Sequence, residues 1–285
     1  MMFYNNILPV VVLYKQKLEQ SLTLQSLQIS LDAAGIERMQ VFVYDNSPEA
    51  SARTIGTFGS FDIIYHHDPL NGGLSKAYNV GAAKARLLNK EWLLLLDQDT
   101  TFPANAFLQY AQAAEQHPDI EVIAPILKLS NNVIFSPCLA KHKRGYPVRQ
   151  ISPGLHNLYK LSPVNSGLLV KKLLFERAGG YNEKVKVDFC DFQFLEKVRR
   201  IDPRFYLMPM TALQDFSNAE LSLSKQQHRF NIYLEDAVNC DKPEFSDKLG
   251  FLYTVTRHAL GLTLKMRNFS FINMYLRKFL IRKDS

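Results

Sequence analysis

Trp92-Leu93-Leu94-Leu95-Leu96-Asp97-Gln98-Asp99-Thr100 decides the fold class. Five large apolar residues in a row read as a strand buried on both faces, the habit of a parallel sheet covered by helices. The run ends on a carboxylate. In extended backbone, residues two apart point the same way, so Asp97 and Asp99 converge while Gln98 points away. Two carboxylates together with substrate phosphate oxygens are a usual ligand set for Mg²⁺ or Mn²⁺. An isolated Asp-x-Asp is more often a solvated turn. Its place behind a buried strand favours a metal site.

The flanking sequence repeats the pattern. Residues 7–14 form a second buried strand, and residues 15–34 have helical spacing through Leu18, Leu22, Leu27 and Leu31, stopped by Gly35. Short strands follow at 41–44 and 63–66. The turn Asp45-Asn46-Ser47-Pro48 closes the first of them. A helix over 71–89, the strand 92–96, a helix over 104–116 and a strand over 122–127 complete a β-α-β alternation. That alternation predicts a largely parallel sheet with helices on its faces. Ligands then bind beyond the carboxyl ends of the strands. Asp45 and the Asp97/Asp99 pair fall on that same rim.

Three further stretches carry chemistry. Asn71-Gly72-Gly73 opens a helix bearing Lys76. Glycine there lets amides approach an anion, a helix N-terminus favours one, and Lys76 can reach a diphosphate. The competing reading is a tight turn capped by Asn71 with a solvated lysine. Asp188 and Asp191 sit where a helix over 188–200 begins. Either can be a general base for a hydroxyl, or they are an N-cap and an N3 acid. Residues 131–163 hold four prolines and the basic run Lys141-His142-Lys143-Arg144, read as a hairpin or mobile loop. A strand over 164–170, a helix over 171–178 and a strand over 205–208 follow, and the chain is mainly helical from Ser224. His66-His67-Asp68 reads as turn surface, without the histidine spacing of a metal site.

Bulk properties narrow the function. The 285 residues are 47% hydrophobic, which indicates a packed core. The three cysteines, Cys138, Cys190 and Cys240, form no CxxC pair, so a structural zinc or a disulfide framework is not expected. Neither a signal peptide nor an apolar span is legible. These features predict a cytoplasmic protein, free or peripheral on the cytoplasmic face of the inner membrane. The net charge of +7 matches seven cations between Arg257 and Lys283, a stretch without Asp or Glu. A basic tail facing an anionic membrane surface or an acidic partner fits that pattern, as does a helical cap with solvated cations. Nucleic acid does not fit.

In order, these stretches resemble family 2 glycosyltransferases of the GT-A fold, especially bacterial rhamnosyltransferase-like members. The likeness rests on Val10-Val11-Val12-Leu13-Tyr14, Val43-Tyr44-Asp45-Asn46-Ser47, residues 71–81, Leu94 to Thr100, Asn165-Ser166-Gly167, and Gly180-Tyr181-Asn182-Glu183 through Asp191. It implies a Rossmann-like, mostly parallel α/β catalytic domain over 1–220, with a nucleotide-sugar half to about 130 and an acceptor half beyond. A basic helical extension over 221–285 would follow.

The resemblance also implies roles. Leu13, Tyr14 and Asp45 would hold base and ribose; Asn71, Gly73 and Lys76 would line the diphosphate; Gln98, Ser166 and Gly167 would lie around the donor sugar. Asp97 and Asp99 would bind Mn²⁺ or Mg²⁺, with Asp99 the more direct ligand. Asp191 would be the base and Asp188 the runner-up. The chain departs from the family in having Gln193 where a second acid is frequent. It also has Gln214-Asp215 where a metal-binding histidine often stands, which makes Asp215 the substitute ligand. The implied activity is an inverting hexosyl transfer, of rhamnose or another hexose. The donor would be dTDP- or UDP-linked, and the acceptor a glycan or lipid-linked hydroxyl in bacterial surface polysaccharide synthesis. A sugar nucleotidyltransferase is the alternative enzyme, although Tyr14-Lys15-Gln16-Lys17 lacks the glycines it normally has after its first strand. A non-catalytic sugar-nucleotide binding module is the other alternative.

Overall fold

The computed structural model describes residues 2–50, 56–215, 222–242 and 245–279. The one-turn helix α1 (Met2–Asn5) precedes β1 (Ile7–Leu13), a 3-10 turn (Leu18–Gln20) and α2 (Leu22–Ala33). Next come β2 (Met39–Asp45), β3 (Thr57–Phe58), β4 (Phe61–His67) and α3 (Gly73–Leu87). The chain continues through β5 (Trp92–Asp97), β6 (Thr100–Thr101), α4 (Ala106–Gln116) and β7 (Val122–Leu129). A hairpin of β8 (Ile134–Lys141) and β9 (Arg144–Val148) leads to β10 (Gly154–Asn157) and β11 (Leu168–Lys171). Then follow α5 (Lys172–Arg177), α6 (Cys190–Val198), β12 (Arg204–Gln214), α7 (Leu223–Asn239), α8 (Phe245–Met266) and α9 (Ser270–Phe279).

The sheet runs β10-β12-β7-β11-β5-β1-β2-β4-β3. β5, β1, β2 and β4 are parallel, whereas β11 inserts antiparallel between β5 and β7. The order reverses at β1, with β2 on one side and β5 on the other. A crevice for ligand opens at such a switch point, beyond the carboxyl ends of the strands.

Burial on both faces explains the unbroken apolar runs. In β1, Leu8, Val10 and Val12 join a core shared with α3, α6 and the C-terminal helices; Ile7, Val11 and Leu13 join another shared with α2 and α4. β5 divides in the same way, Leu93 and Leu95 against Trp92, Leu94 and Leu96. Gly81 lets α3 approach β1: a Cβ there would stand 2.7 Å from Val10 Cγ1.

Several local expectations are corrected. The helix predicted from residue 15 starts at Leu22, because Lys15 is left-handed and the Ser21 hydroxyl caps the Leu24 N–H. Residues 164–167 are a turn, with Gly167 at φ +80°, and the strand begins only at Leu168. α6 starts at Cys190 after the left-handed Phe189, so Asp188 precedes the helix and does not cap it. β12 continues past Pro209 to Gln214, helped by a register shift between Leu207 and Thr211. In the proline-rich stretch the hairpin alternative is the one found, with β8 and β9 paired antiparallel.

The boundary expected at 220/221 lies outside the described residues, as do Arg282 and Lys283. Among the described residues the C-terminal helices share the main core: Phe230, Leu234, Phe251, Val255, Phe271 and Tyr275 are buried with Val10 and Phe194. No described helix is long and apolar enough to cross a membrane.

Candidate active site

The ends of β1 and β5 are tied across the switch point. Gln98 Oε1 accepts from the Tyr14 N–H at 2.8 Å, and its Nε2 donates to the Tyr14 carbonyl at 3.3 Å. The middle residue of Asp97-Gln98-Asp99 therefore faces the loop after β1; β5 ends at Asp97, so Gln98 and Asp99 form a turn and strand alternation does not extend to Asp99. Beside this tie, Lys15, Gln16, Lys17, Gln20, Ser47 and Pro48 help line a cleft of about 510 Å³. Lys15 N–H donates to Ser47 Oγ at 2.7 Å, closing one wall.

Asp97 and Asp99 are held by different partners. Tyr78 OH donates to Asp97 Oδ1 at 3.1 Å, and Gln214 Nε2 donates to Asp99 Oδ1 at 2.5 Å. A directional chain connects them. The Asp97 N–H reaches Ser166 Oγ at 3.4 Å, Ser166 lies 2.6 Å from Thr100 Oγ1, and Thr100 donates to Gln214 Oε1 at 2.6 Å. Because the Thr100 proton goes to Gln214, the Ser166 proton goes to Thr100. Ser166, Thr100 and Gln214 are buried, so each unmade bond in the chain would be costly. Gly167 fixes the turn: its N–H bonds the Leu95 carbonyl at 2.8 Å, and Tyr110 OH bonds its carbonyl at 2.7 Å. Ser166 and Gly167 thus support the acidic pair from beneath.

Electrostatics draw in a third carboxylate. Burial and the Asp99 charge push Asp97 up to about 7 despite the Tyr78 bond, and Asp191 adds to the rise. Burial also raises Asp99, opposed by Gln214, with the Asp215 charge adding to the rise. Asp191 is pushed up to about 6 by burial, against a bond from the Phe192 N–H at 2.8 Å and with the Asp188 charge adding. The Asp99 and Asp191 charges therefore both act on the buried Asp97 carboxyl. Asp188 differs: Arg229 engages both of its carboxylate oxygens, one at 2.8 Å. Asp188 is thus ion-paired, while Asp191 accepts from the Phe192 N–H at the start of α6.

The donor set can be tested for a divalent ion. Among the described residues no three His, Cys, Asp or Glu side chains form a metal cage. Yet Asp97 and Asp99 each use only Oδ1 in the hydrogen bonds to Tyr78 and Gln214. Two desolvated carboxylates that resist each other's charge suit a hard cation completed by diphosphate oxygens, the way Mg²⁺ is commonly held. The residues fit a shared site, not a closed one. Gln214 touches the Asp99 carboxylate. Asp215 contributes its N–H to the Asp99 carbonyl at 3.0 Å and its charge to the neighbourhood.

Other expected contacts are placed differently. Asp45 is fully buried, accepting from Ser47 N–H at 2.9 Å and Tyr65 OH at 2.5 Å, so it shapes the wall of the cleft from below. Lys76 pairs with Asp68 at 2.9 Å. The amides opening α3 are engaged as well: Gly73 N–H reaches Asn46 Oδ1 at 3.3 Å and Leu74 N–H the Lys186 carbonyl at 2.7 Å. Gly73, at φ +85°, is required by that approach, since a Cβ would lie 2.5 Å from the Lys186 carbonyl oxygen. Asn71 is left-handed and Gly72 occupies the cap position, so Asn71 caps nothing. This turn locks the donor half to the loop before α6 instead of offering bare amides to phosphate.

Three residues escaped the sequence reading. Asp68 is a buried hub, taking bonds from Tyr44 OH, Lys76 and the N–H groups of Leu70 and Gly72. Although burial pushes its carboxyl up, those bonds outweigh it and hold the group well below the usual range. Its signal was its place, one residue past a parallel strand on the same rim as Asp45 and Asp97. Asp236 and Arg229, seven residues apart on one face of α7, secure the approach to α6. Asp236 accepts from the N–H groups of Lys186, Val187 and Asp188 at 2.7, 2.9 and 2.8 Å. α7 is thus part of the site's support.

Residues 28–167 match the family model described as glycosyl transferase family 2. No curated protein matches the chain. Among solved structures, Staphylococcus aureus TarS residues 1–349 in complex with UDP-GlcNAc superposes with a TM-score of 0.55 at 17% identity, covering 96% of this chain and 79% of that one. The same fragment in complex with UDP gives 0.53 at 18%, covering 91% and 75%. TarS 1–349 without a named ligand gives 0.52 at 17%, covering 97% and 75%. At such identity the likeness is one of fold. The mixed, mostly parallel sheet with flanking and C-terminal helices is the GT-A fold, and the matched stretch supports a place in family 2.

Proposed function

We propose that this chain is an inverting glycosyltransferase that moves a hexose from a nucleoside diphosphate sugar to an acceptor hydroxyl. The observation that carries this reading is the pair Asp97 and Asp99 at the carboxyl end of β5, beside the switch point of the sheet, with the Asp191 charge acting on Asp97. The family 2 match over residues 28–167 supports it. A UDP-linked donor is favoured by the UDP and UDP-GlcNAc carried by the TarS complexes. dTDP-rhamnose is retained from the motif resemblance. The acceptor is a glycan or a lipid-linked hydroxyl.

In this mechanism Asp191 takes the hydroxyl proton as that oxygen bonds to the anomeric carbon and the bond from that carbon to the diphosphate breaks. The proton ends on Asp191, and the electron pair leaves with the diphosphate. Asp97 and Asp99 would hold a divalent cation, which when bound offsets the charge gathering on the leaving group. Gln214, Thr100 and Ser166 fix Asp99 before the donor arrives, so little reorganisation is needed during reaction. Thermal unfolding with a panel of UDP- and dTDP-sugars, each with Mn²⁺ or Mg²⁺, tests the reading. A donor present at about 100 times its Kd stabilises by roughly 2.7 kcal/mol. One or more panel members should raise Tm by several degrees only with the metal present. A flat response to the whole panel at millimolar concentration refutes it.

The C-terminal helices carry a second proposal, contact with an anionic membrane. α8 turns Phe251, Val255 and Ala259 inward but exposes Leu249, Tyr253, Leu260 and Leu264, with Arg257 and Lys265 alongside. An apolar stripe flanked by cations is the pattern of an interfacial helix. Because the inner face is core, truncation would unfold the protein and point substitutions are the proper probe. Leu260→Glu with Leu264→Glu should at least halve co-sedimentation with phosphatidylglycerol vesicles while Tm stays within about 2 °C. Unchanged sedimentation removes the membrane from this reading.

A further inference from the structure

The basic run Lys141-His142-Lys143-Arg144 forms the tip of the β8–β9 hairpin, with His142 and Lys143 both left-handed. Non-glycine residues adopt that conformation at a cost, and such strain collects at functional sites. Here it turns Lys143 inward, where only 4% of its side chain is exposed, against Glu196 of α6. The tip borders a cavity of about 180 Å³. Its cationic lining is Lys141, Lys143, Arg199 and Lys242, set against the carboxylates Glu196 and Asp247. The cavity therefore keeps an excess of two positive charges, counting His142 neutral.

Lys143 is paired with Glu196, and two details set Arg199 and Lys242 apart from it. Arg199 Nε is the buried side-chain donor without a hydrogen-bond partner among the described residues. Buried donors are nearly always satisfied, so an orphan points to an absent acceptor. The Arg199 guanidinium stacks on Tyr159 at 4.8 Å, which orients it without neutralising it. Lys242 lies over the Phe251 ring at 4.9 Å and, among the described residues, donates to the backbone carbonyls of Cys240 at 2.6 Å and Val238 at 3.3 Å. Burial depresses Lys242, and the nearby Lys143 charge adds to the depression.

The position of the cavity gives it a purpose. Phe192, Leu195, Glu196 and Arg199 line it along a single face of α6. Asp191, the residue before Phe192, stands in the first turn of the same helix. From Asp191 to Arg199 the helix rises about 12 Å.

We propose that this cavity binds a phosphate group of the acceptor, held by Arg199 and Lys242 beside the Lys143–Glu196 pair, about two helical turns from the base. A phosphate supplies the oxygen acceptors that Arg199 lacks, and a planar guanidinium matches it with paired hydrogen bonds. The proposal rests on the glycosyltransferase reading, which it deepens: the acceptor would be a phosphorylated molecule rather than a neutral sugar chain.

Calorimetric titration of the whole protein with inorganic phosphate tests the cavity without any transfer reaction. Wild-type protein should bind saturably. Arg199→Gln and, separately, Lys242→Gln should weaken binding about tenfold or more, the usual scale for loss of a charged hydrogen-bond partner. Asp99→Asn, in the donor crevice, should bind phosphate at least as tightly as wild type. Circular dichroism identifies a variant that fails to fold, and the other one then decides. Absence of saturable binding, or equal binding by both folded cavity variants, overturns the proposal. Phosphatidylglycerol vesicles then distinguish the source: sedimentation weakened by Arg199→Gln indicates a lipid-borne phosphate, and phosphate binding without such sedimentation a soluble one. Phosphate binding that holds while no sugar nucleotide binds would leave the cavity standing and remove the transferase reading.

Discussion

Asp191→Asn lowers sugar transfer about a thousandfold while donor affinity stays within a few-fold of wild type. The size follows from general base catalysis, which contributes roughly 10² to 10⁴ in rate. Donor affinity is spared because Asp191 lies on α6, an element separate from the β5 end that carries Asp97 and leads to Asp99. Single-turnover transfer with calorimetry of donor binding separates the two quantities, and residual transfer above a tenth of wild type takes the base role away from Asp191. The pH profile gives an independent reading. A base must be ionised to act, so wild-type turnover should rise with pH through an acid limb centred at about 6.

The same group makes a stability prediction of definite sign. Its folded pKa stands above the ordinary 3.8, so protonation favours the folded state. The stability it contributes is fully present below pH about 4 and is lost as pH rises through about 6. Asparagine resembles the protonated carboxyl and escapes that loss. Asp191→Asn should therefore melt higher than wild type at pH 8, with the gap closing at pH 4. Activity and stability move in opposite directions, as expected where a functional charge is held in a desolvated place.

What could be read from the sequence was set by how local the physics was. β1 and β5 were legible because burial on both faces writes an unbroken apolar run, whereas the placement of Asp99 relative to Asp97 is set by a turn that begins where β5 ends. The start of α2 was misplaced because Leu18 and Leu22 keep helical spacing across a loop. The loop is set by the Ser21 cap and the left-handed Lys15, which leave no mark on hydrophobic periodicity. Lys76 was read as a diphosphate contact from its place behind Asn71-Gly72-Gly73, and its pairing with Asp68 was not legible because Asp68 read as turn surface. Its burial depends on Tyr44, 24 residues upstream, and on Lys76 itself.

The residue pattern left even whether Asp188 and Asp191 are a base or a helix cap, and the partner that engages Asp188, Arg229, comes from a helix 41 residues beyond it. The C-terminal segment was read as an extension because its cations dominate its composition. The structure divides it instead into an inner face that completes the core and supports the site, and an outer stripe that remains exposed. Long-range polar partners decide such cases, and residue pattern alone does not name them.

Asp99→Asn should abolish metal-dependent transfer, to a depth of about two to three orders of magnitude, and make the remaining rate indifferent to EDTA. The argument begins with the cost of the acidic pair. Burial and mutual repulsion hold Asp97 up at about 7 when Asp99 is charged, so a cation shared between them displaces a proton near neutrality. Wild-type protein should accordingly show Mn²⁺ affinity, in the presence of a nucleoside diphosphate, that strengthens as pH rises from 6 to 8. Removing the Asp99 charge relieves Asp97 and removes one oxygen ligand at the same time. Without metal, at pH 8, Asp99→Asn should then be more heat-stable than wild type, and the rise in Tm on adding Mn²⁺ and donor should largely disappear. Gln214→Leu separates positioning from ligation: it strips the Gln214 hydrogen bond from the Asp99 carboxylate without altering the charge of the pair. It should therefore retain EDTA-sensitive transfer at a rate lowered about tenfold, on the scale of one lost charged hydrogen bond. Full wild-type transfer after chelation, with bound metal shown absent by elemental analysis, would show that the two carboxylates act without a cation.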